Sequence, residues 1–465
     1  MRPTLLSIKR PHIYGLIALM FILLIDHAVA STRRVPSQFS NIQLALDNCG
    51  SGDTVLVAPG TYSGPGNHSL TLNNKWIVLQ SEEGSEETIV ELNYSHRFLS
   101  ASDVRTTGGE ISGFTFRHGR DIAGGAIYTW NASLAIFNCT FIGNSAVRLE
   151  PDGYGGAVCA EGGSQLSIRY CEFLQNGGGV GGAVCATRGT TIEMSHCRLK
   201  DNSCVVGYGG ALAAYDATLE IRNCSLLNNT AYSFGGSIFL LGGRAFIDLS
   251  TISKSNGIVL EGGSSLFMSN VTMSDNYGTS TIGAVQLNGY NQCYISNSII
   301  AFSTDGAALQ VTGTSPIIDI VCTDIFGNEG GNWVGPIAGF GSSDSNFSAD
   351  PLFCDRSVYD FALQTPSPCS PELSPCDSLI GATAAACGQV CCQGTTGDIN
   401  SDFAESANIA DLTYLVRWLW RGGPPPKCFS EADVYPDHNL DTSDLTYLVG
   451  YMFRGGPEPA PCPDW

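Results

Sequence analysis

The oxygen-bearing residues best spaced for chemistry sit near the C-terminus. Counting Asp433 as the first position of a loop puts Asp433, Asp437, Asp441 and Asp444 at positions 1, 5, 9 and 12, with the Asn439 carbonyl at position 7. A hard cation such as Ca²⁺ is held by several oxygens in a short loop that leads into a helix, so this spacing predicts a calcium loop. An earlier stretch carries the same chemistry at Asp398, Asn400, Asp402, Asn408 and Asp411, with about two extra residues between Asp402 and Asn408. The run Asp411-Leu412-Thr413-Tyr414-Leu415-Val416 returns 33 residues later as Asp444-Leu445-Thr446-Tyr447-Leu448-Val449. Helices are expected over Leu412–Trp420 and Leu445–Phe453. Their aromatics pack the two copies together, and Trp418, Trp420, Tyr451 and Phe453 face a partner wherever they are exposed.

This duplicated loop-helix segment resembles a type I dockerin. The resemblance implies Ca²⁺ as the bound ion and a cohesin-like protein domain as the partner. Tyr435 departs from the pattern, which has Asn or Asp at that place.

A second group, Arg169, Glu172 and Arg198, is the nearest approach to a catalytic set elsewhere in the chain. Glu172 and Arg198 also fit a simpler role as opposite charges on neighbouring coils, as do Arg222 and Asp248. These coils are announced by a repeat: Gly124-Gly125-Ala126-Ile127, Gly155-Gly156-Ala157-Val158, Gly181-Gly182-Ala183-Val184, Gly209-Gly210-Ala211-Leu212 and Gly235-Gly236-Ser237-Ile238. Successive second glycines stand 31, 26, 28 and 26 residues apart. A period in that range with strand-like contents predicts a stacked β-solenoid.

Aligned on the repeat, Cys139, Cys171, Cys197, Cys224, Ser250, Val271, Ser298 and Cys322 share one interior column. Apolar residues such as Phe141, Phe173 and Leu199 follow two positions later, on the same strand face. Asn144, Asn176, Asn202, Asn229 and Asn276 form a further column, expected as an amide ladder at a turn. The cysteines exchange with Ser and Val and show no metal-type spacing, so they read as small packing residues. Cys159 and Cys185 share a column of their own, either as free thiols or as a disulfide.

Upstream, Phe39, Ile42 and Leu46 fall on one helical face, and Gly52 to Tyr62 reads as a strand ending in a tight turn. This opening, with the closing stretch Ala349-Asp350-Pro351-Leu352-Phe353, resembles right-handed parallel β-helix proteins of the pectin-lyase-like class. The coils are also similar to the repeats of polymorphic outer-membrane proteins, as in Phe141-Ile142-Gly143-Asn144. The fold expected is all-β, a right-handed parallel β-helix with an N-terminal capping helix, followed by a small α-helical calcium-loop domain. The first resemblance implies a polysaccharide-binding or polysaccharide-degrading protein, a lyase or O-glycosyl hydrolase if it is an enzyme. The second implies a non-enzymatic adhesive protein. No paired-aspartate motif of the polygalacturonase type is present, which leaves catalysis open.

Residues 1–30 read as a secretory signal, with Arg2, Lys9 and Arg10 before an apolar run and Ala28-Val29-Ala30 at its exit. The divisions expected after it are the β-helix over 31–380, a Cys-rich linker over 381–396 and the calcium-loop domain over 397–465. Such a signal implies export to the cell exterior or cell surface, and 18 cysteines are compatible with disulfides there. The formal charge of −20 disfavours nucleic acid and anionic membranes as partners. No later segment is expected to span a membrane.

Overall fold

The computed structural model describes residues 30–461, except 104–108, 147–152, 234, 279–282, 314, 366, 388–394, 401–406, 422, 424–425, 427 and 437–439. All of the expected signal segment but Ala30 lies outside the described residues. From Thr32 onward the chain winds into a parallel β-solenoid with three long sheets. Sheet A has 12 strands, from Thr32–Val35 to Ile317–Val321; sheet B has 11, from Gly60–Tyr62 to Asp324–Phe326; sheet C has 10, from Leu70–Thr71 to Leu309–Thr312. A short sheet D of two-residue strands runs from Arg120–Asp121 to Thr230–Ala231. The five coils that include sheet D visit A, B, D and C in turn, as in Ser133–Phe137, Thr140–Ile142, Ser145–Ala146 and Val158–Glu161, and the other coils that reach C pass to it from B without D.

Strand alternation decides which side chains enter the core. In Gln165–Arg169, Leu166 and Ile168 are buried while Gln165 and Arg169 are exposed. Phe116, Phe141 and Phe173 stack inside at ring separations of 5.2 and 4.7 Å. At the turn between sheets A and B the small column is built as expected: the Cys139 amide donates to Cys171 Sγ at 3.4 Å and the Cys224 amide to Ser250 Oγ at 3.0 Å. These thiols are buried and free. The small column differs from the expected one at its last member, Cys322. The pairing of Ser296 with Val321 places Cys322 one position earlier, so Thr323 fills the interior column and Cys322 turns outward into a disulfide with Cys376.

The asparagine ladder forms with one interruption, between Asn229 and Asn276. The Asn144 amide and Nδ2 both donate to Asn176 Oδ1 at 3.0 Å, and Nδ2 also donates to the Phe116 carbonyl at 2.9 Å. Asn176 repeats this with Asn202, and Asn202 with Asn229. Ser255 replaces the amide in one coil, accepting from the Asn229 amide at 3.0 Å. A buried turn would otherwise leave these backbone groups unpaired, at a cost of about 1–3 kcal/mol each.

The Gly-Gly repeat has two separate causes. Gly155 lies in the left-handed region at φ +63, while Gly156 is hemmed in from the next coil, where a Cβ would overlap the Gly182 carbonyl oxygen. A Cβ at Gly155 would also overlap the Val158 carbonyl oxygen, so crowding resists substitution at both positions and the left-handed backbone adds to it at Gly155.

The solenoid is closed at both ends. Helix α1, Ile42–Asp47, buries Ile42, Ala45 and Leu46 over the first coil, and Asn41 caps it by accepting from the Leu44 amide at 2.9 Å. The helix begins only at Ile42, so Phe39 belongs to the preceding turn, although it still packs on the core. At the other end Trp333, Ile337 and Phe340 cover the last coil. The chain then crosses the outer face of sheet B as a strap. Phe353–Asp355 pairs antiparallel with Asp360–Gln364, which pairs parallel with Ala385–Cys387. Disulfides Cys322–Cys376 and Cys354–Cys387 pin it, and Phe353, Phe361, Leu363 and Ile380 pack on Ile299 and Ala301 beneath.

Beyond the strap the tail contains helix α2, Ile409–Arg421, the short α3, Phe429–Ala432, and α4, Thr442–Arg454. Leu415, Leu419 and Leu448 meet Ile399, Ala432 and Val434 in a core separate from the solenoid's. Trp418 and Trp420 are half-buried against that core, whereas Phe453 is 61% exposed. Among the described residues no helix is long and apolar enough to cross a membrane.

Candidate functional site

The solenoid places the first candidate group on two different faces. Arg169 is the last residue of a sheet A strand, and its Nε donates to Ser167 Oγ at 3.1 Å. Glu172 and Arg198 face outward from neighbouring sheet B strands, 3.7 Å apart. Arg222 and Asp248 are likewise in register at 3.3 Å. Exposed ladder pairs of this kind contribute roughly 0–1 kcal/mol each.

The central outward column of sheet A holds Glu193 and Glu220 on adjacent strands, both exposed, then Phe246, Phe267 and Tyr294. The three rings stack at 4.8 and 4.9 Å with interplanar angles of 7° and 4°. The middle ring, Phe267, is covered on both faces, while Phe246 and Tyr294 each keep one face outside the stack.

A denser arrangement occupies sheet C. Strands Ile127–Trp130 and Val158–Glu161 pair in register, so Tyr128 and Trp130 lie beside Cys159 and Glu161 on the outward side. Alternation buries their partners Ile127, Thr129, Val158 and Ala160 inside. The Tyr128 hydroxyl donates to Glu161 Oε2 at 3.2 Å, and Arg188 Nη1 approaches the same oxygen at 3.8 Å. The Arg188 guanidinium also lies over the Trp130 ring at 5.6 Å. Trp130 in turn rests on Gly162, where a Cβ would press on the indole at 3.0 Å.

On the other side of Tyr128, Arg97 lies over its ring at 4.9 Å and pairs with Asp121 at 3.2 Å. Arg97 is tied down further by the carbonyls of Gly124 and Ala123 and by Ser100 Oγ. Its donors are spent on the protein, whereas the Arg188 side chain is 67% exposed and can turn to a ligand. Burial, aided by Glu161, pushes the Tyr128 phenol up to about 12. At neutral pH Tyr128 is therefore a hydrogen-bond donor and not a base. Glu161 remains as the acceptor or proton-transfer group of the row.

None of Arg97, Tyr128, Trp130, Glu161 or Arg188 stands out in the sequence. The Gly-Gly repeat could have found two of them, since Tyr128 lies three residues after Gly125 and Glu161 five after Gly156, both on outward positions.

In the tail, the two loop-closing aspartates are treated alike. Asp411 accepts from the amides of Asn400 and Asn408 at 3.1 and 2.9 Å, and Asp444 from those of Tyr435 and Asp441 at the same two distances. Both carboxylates are fully buried, with Asp433 9% exposed. Asp441 caps α4, accepting from the Ser443 amide at 2.6 Å. The Asp398 amide donates to Glu431 at 3.1 Å. Burial raises the Asp444 carboxyl to about 8, with Asp433 and Asp441 adding to the effect. Buried carboxyl groups facing one another are what a bound cation would neutralise. Asp402, Asp437 and Asn439 lie outside the described residues, and among the described ones no three His, Cys, Asp or Glu side chains converge on one point.

A family model described as "Right handed beta helix region" matches residues 72–226. No curated protein matches the chain in sequence. Similar solved structures include a family 6 polysaccharide lyase from Pseudopedobacter saltans, at 14% identity, covering 68% of this chain and 91% of that one, with a TM-score of 0.38. The pectin methylesterase of Aspergillus niger is 14% identical over 70% of this chain and 90% of its own, with a TM-score of 0.29. The A-module of a mannuronan C-5 epimerase from Azotobacter vinelandii is 14% identical over 66% and 94%, with a TM-score of 0.27.

Proposed function

We propose that the protein binds an extended polysaccharide along the outer face of sheet C and is attached to a protein partner through its C-terminal calcium loops. The row Arg97, Tyr128, Glu161, Arg188 and Trp130 carries this reading. It combines an aromatic face, a phenol that stays protonated, a half-sequestered carboxylate and one guanidinium with donors to spare. Such a set suits hydroxyl-rich ligands, which need fixed donors and acceptors beside an apolar surface. The middle outward column of the sheet, Cys159, Cys185, Ala213, Phe239 and Val259, is buried, so a linear polymer would lie along the neighbouring column that runs from Trp130 and Glu161 through Tyr215, Leu241 and Glu261.

Two further elements of the reading rest on other residues. The disulfides of the strap suit an oxidising compartment, which supports export. The matched backbone cradles of Asp411 and Asp444, together with the raised Asp444 carboxyl, support Ca²⁺ in both tail loops. Asp398, Asn400, Asp402, Asn408 and Asp411 would serve the first ion, and Asp433, Asp437, Asn439, Asp441 and Asp444 the second. The partner envisaged is a cohesin-like domain.

Glu161 is engaged by Tyr128 and Arg188 together, an arrangement that favours holding a ligand over cleaving it, in keeping with the adhesive alternative. The deciding experiment incubates the exported chain and its Glu161→Gln variant with a panel of plant and algal polysaccharides. Retention of a glycan by the parent chain and its loss in the variant is the expected result. New reducing ends or unsaturated products would make the protein an enzyme. Equal retention by both chains would remove sheet C as the site.

A further inference from the structure

We propose that His68 and His96 together form a binding site for a late first-row divalent ion of the Zn²⁺ or Ni²⁺ type. The two residues precede neighbouring strands of sheet C, whose coils are tied by the backbone bonds Ser69 N to Arg97 O and Leu70 N to Phe98 O, both 2.7 Å. Their rings stack at 3.8 Å with an interplanar angle of 2°. His96 is exposed and His68 half-buried, so both can be reached from solvent. His68 Nδ1 lies 3.2 Å from Ser69 Oγ, which leaves its Nε2 for another partner.

The chemistry follows from ligand type and spacing. Neutral imidazole suits Zn, Ni and Cu, while Ca²⁺ and Mg²⁺ take oxygen ligands, so this site and the tail loops would not compete for one ion. Two nitrogens bound tetrahedrally at about 2.0–2.1 Å stand about 3.4 Å apart, a span within reach of side chains one coil apart. Imidazole lone pairs lie in the ring plane, so the stacked rings aim theirs in parallel, and both side chains must leave the stack by rotating about χ1 and χ2 to turn one nitrogen each to a shared point.

Among the described residues no third His, Cys, Asp or Glu side chain completes the set, so water fills the remaining positions. The next coil places Arg120 in the same column, its amide donating to the His96 carbonyl at 3.1 Å. The exposed guanidinium opposes a cation, which makes Arg120 a built-in check on affinity. The other described histidine of this region, His118, is held by Glu91 at 3.1 Å beneath Tyr94 and serves as a control.

The experiment titrates Ni²⁺ into the full, calcium-saturated chain at neutral pH, following bound ion by calorimetry and histidine ring signals by paramagnetic broadening. One ion per chain is expected, with broadening of two imidazoles. His68→Ala and His96→Ala should each weaken binding by at least about tenfold, His118→Ala should leave it unchanged, and Arg120→Ala should tighten it. His96→Gln keeps the side-chain volume and removes the imidazole, so loss of binding there with an unchanged melting temperature separates ligand loss from misfolding. Unchanged affinity in both His68 and His96 variants, or loss in His118→Ala instead, would overturn the assignment.

Discussion

Tyr128 and Glu161, 33 residues apart in sequence, meet across a single coil step with the phenol donating to the carboxylate at 3.2 Å. The pair is held from one side by Arg97 over the Tyr128 ring and from the other by Arg188 beside Glu161. Glu161 acts on the phenol by charge and by hydrogen bond, in addition to burial. Glu161→Gln should therefore lower the Tyr128 pKa from about 12, while leaving it above the ordinary tyrosine value because burial persists. Ultraviolet titration of tyrosinate, with Tyr128→Phe to identify the signal, makes the comparison. An unmoved transition would mean that the two side chains do not meet in solution.

The asparagine ladder yields a graded prediction. Asn202→Ala strips the Asn176 amide and Nδ2 and the Phe173 carbonyl of a buried partner, so it should destabilise the central coils by about 3 kcal/mol or more. Asn202→Ser should cost less, because Ser255 already performs the acceptor role in the same column. Urea unfolding followed by hydrogen exchange in coils 165–230 measures both. Equal losses for Ala and Ser would show that the loss is one of packing and not of hydrogen bonding.

These interior columns were legible in the sequence because each rung repeats the same side chain for the same local reason. Asn144, Asn176 and Asn202 recur because every turn must satisfy the same backbone groups, and Gly155-Gly156 recurs because every coil meets its neighbour there. The Cys322 column failed by one residue where the last coils change length, and a disulfide to the strap takes the place of the interior contact. Arg97 and Arg188 were not legible at all. They are outward residues that occur once, and their meeting depends on coil-to-coil register, which periodicity reports only for side chains that repeat. Asp402, Asp437 and Asn439 remain sequence expectations.

Under the strap, Asp324 supplies a pH prediction. Its carboxyl is fully buried and accepts from the Ala349 amide at 3.0 Å and the Cys369 thiol at 3.3 Å. Burial lifts it to about 7, against the added pull of those two donors. The folded state thus keeps a proton that the unfolded state releases near pH 4. Stability is then greatest below about pH 4, falls as pH rises toward 7, and levels off above it, for a total of about 4 kcal/mol. Asp324→Asn should flatten that slope and melt higher than the parent at about pH 8, with little difference at about pH 4. Parallel slopes for the two chains in calorimetric melts would show that Asp324 is not the responsible group.

The tail makes the most direct claim about an ion. With its carboxyl at about 8 in the ion-free state, Asp444 is mostly protonated at neutral pH. Calcium needs the ionised carboxylate, so binding must expel that proton. Titration of the full chain with Ca²⁺ at pH 7 should release heat that varies with the ionisation enthalpy of the buffer, and the variation should shrink at about pH 9. Asp444→Asn should abolish the proton release and the second binding event, leaving the first loop to Asp411. Asp411→Asn should do the reverse. Chelation should loosen the core where Leu415, Leu419 and Leu448 meet, shifting the emission of Trp418 and Trp420 toward the red. If the heat is the same in every buffer while calcium still binds, the ion enters without Asp444, and the second loop is closed by some other oxygen. If no calcium is taken up at all, the duplicated aspartates are helix-capping groups, a role Asp441 already fills by accepting from the Ser443 amide.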